Sequence, residues 1–269
     1  MLAENFGIDW LKVDVPFQCE VHWLRPRAEP QRNRFSVLVA HTEPDAYSLS
    51  DNELKQVATK FDLIVVKKNR FNLPNAIEDC FGSTWLTDSP KRKEFGISYL
   101  LSAGNHKGVL PGYTLRLEVV LGQSRIKKIP QHFYKSKYFD AHNEKFSAEK
   151  FEIALPPLPN DNRQSLFDYM FNIAIENSQE ENYFTEKIVD CFRARTIPIY
   201  NGCPNIADYF DEKGIIRFAD VNELIDKVNN LTQDEYYERY KAMAENYELA
   251  AAYYDPWKRL AKNIIRYRN

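Results

Sequence analysis

The segment Phe171–Gly202, FNIAIENSQEENYFTEKIVDCFRARTIPIYNG, carries one complete crossover unit in its residue pattern. Phe171 to Ile175 is a short apolar run of the kind that forms a buried strand. Glu176-Asn177-Ser178 through Asn182 is a polar turn. Thr185 reads as an N-cap, and Ile188, Val189 and Phe192 give the following helix one apolar face. Ile197 to Tyr200 is a second strand, stopped by the turn dipeptide Asn201-Gly202. Strand, turn, helix and strand in this order make a right-handed βαβ crossover. Its polar residues fall at the carboxyl end of the first strand, where open α/β sheets bind ligands.

The alternation continues outward. Upstream, Phe95 to Ser102 is a strand, followed by a loop with Gly104, Gly108 and Gly112 and a helix over about 113–122 bearing Arg116. The basic and aromatic stretch 124–150 has no clear period. Further back, Phe35 to Ala40 and Phe61 to Val66 are buried strands. They flank a helix over about 51–60 that Ser50 and Glu53 open with a capping box. Phe17 to Trp23 is a further candidate strand, and 67–90 has room for a short one. Downstream come a strand at Gly214 to Phe218 and a helix over about 221–231. A long Tyr- and Ala-rich helix opens at Thr232, and a final amphipathic helix opens at Asp255-Pro256. The charged string Ser89-Pro90-Lys91-Arg92-Lys93-Glu94 reads as a hinge. Two parallel α/β units predict two Rossmann-type lobes facing across a cleft.

Composition narrows the function classes. The 269 residues are enough for one large domain or two small ones, and a net charge of −2 offers no field to recruit nucleic acid. No apolar run approaches the roughly 18 residues of a spanning helix. The N-terminus, MLAENFGIDWLKVD, lacks a basic n-region and an apolar h-region, so a soluble, cytoplasmic protein is expected. Cys19, Cys80, Cys191 and Cys203 are scattered, which fits free thiols in a reducing compartment. The chain lacks GxxxxGK[ST], GxGxxG, HExxH and GxSxG. It also lacks the Asp-x-Asp pair that holds a metal–diphosphate, and His22, His41, His106, His132 and His142 have no ligand spacing. Chemistry without a metal or cofactor is expected.

Glu186 and Lys187 then stand out at a helix start, where exposed N–H groups and a partial positive charge suit a diphosphate. Lys187 opposes its own helix dipole, and a bound phosphate would relieve that conflict. Spacing alone equally allows Glu186 to be a dipole-compensating N1 residue and Lys187 a solvated charge.

In order, Phe171-Asn172-Ile173-Ala174-Ile175-Glu176-Asn177-Ser178, Tyr183-Phe184-Thr185-Glu186-Lys187 and Thr196-Ile197-Pro198-Ile199-Tyr200 resemble the donor-binding signature of the α-1,3-fucosyltransferase family. The resemblance is strong over about 165–220, weaker over 35–122, and is to the short bacterial members above all. It implies a GT-B-like fold, with an acceptor-side lobe at 1–90 and a nucleotide-sugar lobe at 91–255. Helix 256–269 would pack back toward the N-terminal lobe. The activity implied is inverting, metal-independent transfer of a sugar from a nucleotide sugar to a hydroxyl of an oligosaccharide, glycoprotein or glycolipid. GDP-fucose is the favoured donor. A UDP-sugar such as UDP-xylose, or a non-catalytic nucleotide-sugar or glycan-binding module, is the alternative. By position, Asn177, Tyr183, Glu186 and Lys187 would contact the donor, with Glu186 on ribose and Lys187 on phosphate, and Glu176 and Ser102 beside them. Arg116 would neutralise the leaving diphosphate, although it also reads as a surface helix charge. Glu43, after the Phe35–Ala40 strand, would be the general base, although it also reads as a turn residue before Pro44.

Overall fold

The computed structural model describes residues 13–23, 26, 28–40, 49–80, 82–87, 93–102, 110–140 and 153–269. The chain divides into two compact units, one of Met1–Gly82, Glu181–Tyr183 and Asp255–Asn269, the other of Ser83–Glu180 and Phe184–Tyr254.

In the first unit, β1 (Cys19–Trp23), β2 (Phe35–Val39), β3 (Leu63–Val66) and β4 (Ala76–Glu78) form a parallel sheet in that order. The largely apolar runs of β2 and β3 are explained by burial on both faces. Val37, Val39, Leu63 and Val65 point one way, and Leu38, Ile64 and Val66 point the other. The second face is covered by α1 (Asp51–Ala58), whose Ser50–Glu53 capping box has both of its hydrogen bonds. The first face is covered by α7 (Pro256–Arg268), which buries Leu260 and Ile264 against the valines. Asp255 caps α7 by accepting from Lys258 N, and Arg259 pairs with Asp79 at 3.2 Å.

In the second unit, β5 (Glu94–Leu101), β6 (Gln131–Lys135), β7 (Tyr169–Ile175), β8 (Ile197–Asn201) and β9 (Ile216–Arg217) form a parallel sheet in the order β6-β5-β7-β8-β9. The chain leaves β5 toward β6 on one side and returns to β7 on the other. The crevice outside the carboxyl ends of β5 and β7 is therefore the switch point of this sheet. α2 (Pro111–Leu121) follows β5, and α3 (Glu186–Arg193) joins β7 to β8 as the sequence pattern predicts. Ile188, Val189 and Phe192 are fully buried, and each contributes about 1.5–3 kcal/mol relative to exposure. α4 (Val221–Asn229), α5 (Gln233–Glu238) and α6 (Tyr240–Ala250) complete the unit.

Two expectations need correction. Part of the stretch without a clear period is edge strand β6, whose Phe133 packs edge-on to Tyr99 at 5.5 Å. The single long helix after Thr232 is two helices meeting at Arg239, which keeps helical backbone angles (φ −85, ψ −7) while its guanidinium bonds Glu235 and the Lys213 carbonyl. Of its tyrosines, Tyr236 packs against Phe171, whereas Tyr237 and Tyr240 are exposed. All four cysteines are free thiols, three of them buried. Among the described residues no helix is long and apolar enough to cross a membrane.

Candidate functional site

The start of α3 is built by the residue that ends β7. Thr185 is extended (φ −126, ψ −164), as an N-cap must be. Its N–H donates to Glu176 Oε1 at 2.9 Å, and its hydroxyl donates to Glu176 Oε2 at 2.8 Å. Glu176 thus ties the carboxyl end of the strand to the amino end of the helix. Burial pushes the Glu176 carboxyl up, and the Glu186 charge adds to the rise; Lys187 and the Thr185 hydrogen bonds oppose it.

Lys187 Nζ lies 3.4 Å from Glu176 Oε2, 3.6 Å from Glu186 Oε1 and 3.0 Å from Thr185 Oγ1. The conflict between Lys187 and its helix dipole is therefore already eased by two carboxylates. On Glu186, burial works to raise the pKa, but Lys187, Arg163 and hydrogen bonding from Thr185 outweigh it and hold the carboxyl below its ordinary range.

Arg116 is not a surface charge: it is 3% exposed. Its Nε and one terminal nitrogen donate to the Ile175 carbonyl at 3.1 and 2.6 Å, and the latter also donates to Asn177 Oδ1 at 2.5 Å. Among the described residues no carboxylate lies within ion-pair range of it. A buried guanidinium without a counter-charge is costly, so the site has an electrostatic demand for an anion. α2 reaches this position because Gly112 has no side chain; a Cβ there would lie 1.9 Å from the Glu176 carbonyl oxygen. Gly112 N donates to the Asn177 carbonyl at 3.1 Å.

Ser102, Arg116, Glu186 and Lys187 line one cavity of about 50 Å³ at the switch point of the second sheet. Asn177 reaches its edge through Arg116, and Glu176 through Lys187. Two further lining residues were missed from the sequence. Asn172 is a polar residue inside an apolar strand, satisfied by donating to Ser98 Oγ at 2.8 Å; its misfit with its neighbours was the available signal. Arg163 lies in the turn Arg163–Asp168, where no periodicity marks it, with a terminal nitrogen 3.4 Å from Glu186 Oε1. The charged lining is then three cations and one carboxylate. Tyr183 is not part of the lining. It is fully buried in the first unit, with the Lys67 ammonium 5.3 Å from its ring centre. Glu43 lies outside the described residues.

A larger groove of about 780 Å³ runs beside β9, α4 and α5. Its three cations are paired, Arg217 with Glu212, Lys227 with Glu223 and Arg239 with Glu235, each within 2.8 Å, and Asp220 and Asp226 leave the lining net acidic. A net acidic lining does not suit a diphosphate, in contrast to the cation-rich smaller cavity. Among the described residues no group of three or more His, Cys, Asp or Glu is disposed to hold a metal ion.

Comparison with known proteins agrees with this architecture. The family model for the C-terminal part of glycosyltransferase family 10 (fucosyltransferase) matches residues 126–263, just over half of the chain. The alpha-(1,3)-fucosyltransferase of Helicobacter pylori is 41% identical over 69 residues, which are 24% of this chain and 14% of that protein. The chain therefore spans only a small part of that relative's length. A crystal structure of an alpha1,3-fucosyltransferase superposes with a TM-score of 0.53 at 15% identity, covering 92% of this chain and 76% of that one. One with GDP superposes with a TM-score of 0.50 at 16% identity, covering 91% and 81%. These likenesses show the fold, that of the GT-B glycosyltransferases.

Proposed function

This chain belongs to glycosyltransferase family 10, the fucosyltransferase family, and we propose that it transfers a sugar, fucose from GDP-fucose, to a hydroxyl of a glycan acceptor. The observation that carries this reading is the switch-point cavity. Its lining combines three cations with one carboxylate, includes a buried Arg116 without a counter-charge among the described residues, and abuts the N-terminus of α3. A nucleoside diphosphate supplies the anion such a site demands, and its ribose hydroxyls suit the Glu186 carboxylate.

The chemistry proposed is a single displacement. Glu43 takes the proton of the acceptor hydroxyl, the oxygen forms a bond to the anomeric carbon, and the bond from that carbon to the phosphate oxygen breaks. Configuration inverts and GDP leaves. Lys187 and Arg116 stabilise the charge that grows on the departing diphosphate, the electrostatic role that a metal ion fills elsewhere. Arg116 also holds Asn177 Oδ1, so its second role is to orient that side chain. An oligosaccharide, or the glycan of a glycoprotein or glycolipid, is the acceptor class.

Incubating the protein with GDP-fucose and a panel of glycans, with and without EDTA, tests this reading. Fucosylated product of inverted configuration, undiminished by EDTA, is expected. Lys187→Ala should lower turnover roughly a hundredfold while the fold persists. Transfer that requires an added metal, or full turnover by Lys187→Ala, would contradict the scheme.

A further inference from the structure

Arg163 enters the reading above only as one of the three cations of the cavity lining, yet several groups converge on it. Its guanidinium lies 4.2 Å from the centre of the Trp85 ring, and its Nε is sealed from solvent with no hydrogen-bond partner among the described residues. Trp85 is 61% exposed but firmly placed. Its backbone N–H donates to Asp190 Oδ1 at 3.0 Å, and the neighbouring Thr84 hydroxyl donates to the same oxygen at 2.6 Å. α3 thus anchors Thr84 and Trp85 through Asp190, Trp85 covers Arg163, and Arg163 faces Glu186 at the start of the same helix.

The grip on Glu186 has a direction. Arg163 and Lys187 both contact Oε1, at 3.4 and 3.6 Å. Two cations on one oxygen restrain rotation of a carboxylate that would otherwise turn freely about its terminal bond. The indole face adds a cation–π attraction that fixes the guanidinium without consuming its hydrogen-bond donors. The geometry points to Arg163, held by Trp85, as a positioning residue that orients the Glu186 carboxylate toward the ribose hydroxyls of the nucleotide. This role rests on the donor-site reading given above, and it acts through Glu186 rather than by contact with the sugar being transferred.

The test compares GDP with 2′,3′-dideoxy-GDP by calorimetric titration on the full chain. Wild type should bind GDP about tenfold more tightly, the size of a charge-assisted hydrogen bond between hydroxyl and carboxylate. In Arg163→Ala and Trp85→Ala the ratio should fall toward one, with GDP weakened more than dideoxy-GDP. Arg163→Lys should keep most of the preference. Such non-additivity between side chain and ligand hydroxyl is the mark of coupling, which a merely structural role does not produce. If Arg163→Ala fails to fold, Trp85→Phe and Arg163→Lys carry the test, and ratios between those of wild type and one support it. A wild-type ratio in every folded variant, or equal weakening of both nucleotides, overturns the positioning role. Absence of binding of either nucleotide to wild type overturns the donor-site reading instead.

Discussion

Asp190 gives the sharpest quantitative prediction. It sits in α3 with no solvent exposure, and although Oδ1 accepts from Thr84 and Trp85, Oδ2 is buried without a hydrogen-bond partner among the described residues. Burial raises its pKa from 3.8 to about 6, the Glu186 charge adds to the rise, and the two hydrogen bonds and Arg163 oppose it. The folded state therefore binds a proton more readily than the unfolded state. Stability contributed by this proton is present in full below pH 3.8 and is lost as the pH rises to about 6. A difference of about two pKa units corresponds to about 3 kcal/mol. Asn at this position resembles the protonated acid: it keeps an acceptor for Thr84 and Trp85 and does not titrate. The stability of Asp190→Asn relative to wild type should therefore improve by about 2 kcal/mol between pH 4 and pH 7. Urea denaturation of both proteins at half-unit pH steps measures this, and taking the difference removes the titration of other carboxylates. A difference that stays flat, or moves the opposite way, would refute the reasoning.

Two other predictions concern packing and catalysis. Gly112→Ala drives a methyl group into the Glu176 carbonyl, a backbone atom with no room to yield. It should cost about 1–3 kcal/mol and weaken nucleotide binding, as seen by urea midpoint and calorimetry, whereas Gly122→Ala, whose nearest contact is at 3.1 Å, should be milder. Glu43→Gln, proposed from sequence alone, should lower turnover by roughly 10²–10⁴ without changing GDP affinity; retention of turnover would remove Glu43 from the mechanism.

The fold was legible where residue pattern and burial agree. Phe171–Ile175, Ile197–Tyr200 and Phe35–Val39 are largely apolar runs because parallel strands are covered on both faces. Thr185 and the Ser50–Glu53 pair announced helix starts because capping is a local hydrogen-bond problem. β6 was obscure because an edge strand needs little apolar content: in Gln131–Lys135 only Phe133 is buried. The start of α2 was placed late because its signal is Pro111 at the first helical position, without a side-chain cap.

The candidate site divides along similar lines. Glu186 and Lys187 were readable from their place behind an N-cap. The burial of Arg116, and the guanidinium's bonds to the end of β7, depend on how two elements pack and could not be seen in either alone. Arg163 meets Trp85, 78 positions before it, and Glu186, 23 positions after it. No local pattern encodes such a meeting.

The central claim is that the switch-point cavity binds the diphosphate of a nucleotide sugar. Calorimetric titration with GDP and with guanosine tests it most directly, because the two differ only in the diphosphate. GDP should bind at least tenfold more tightly than guanosine, and Lys187→Ala should erase most of that difference. Equal affinity for the two, or a preference unaffected by removing Lys187, would contradict the account.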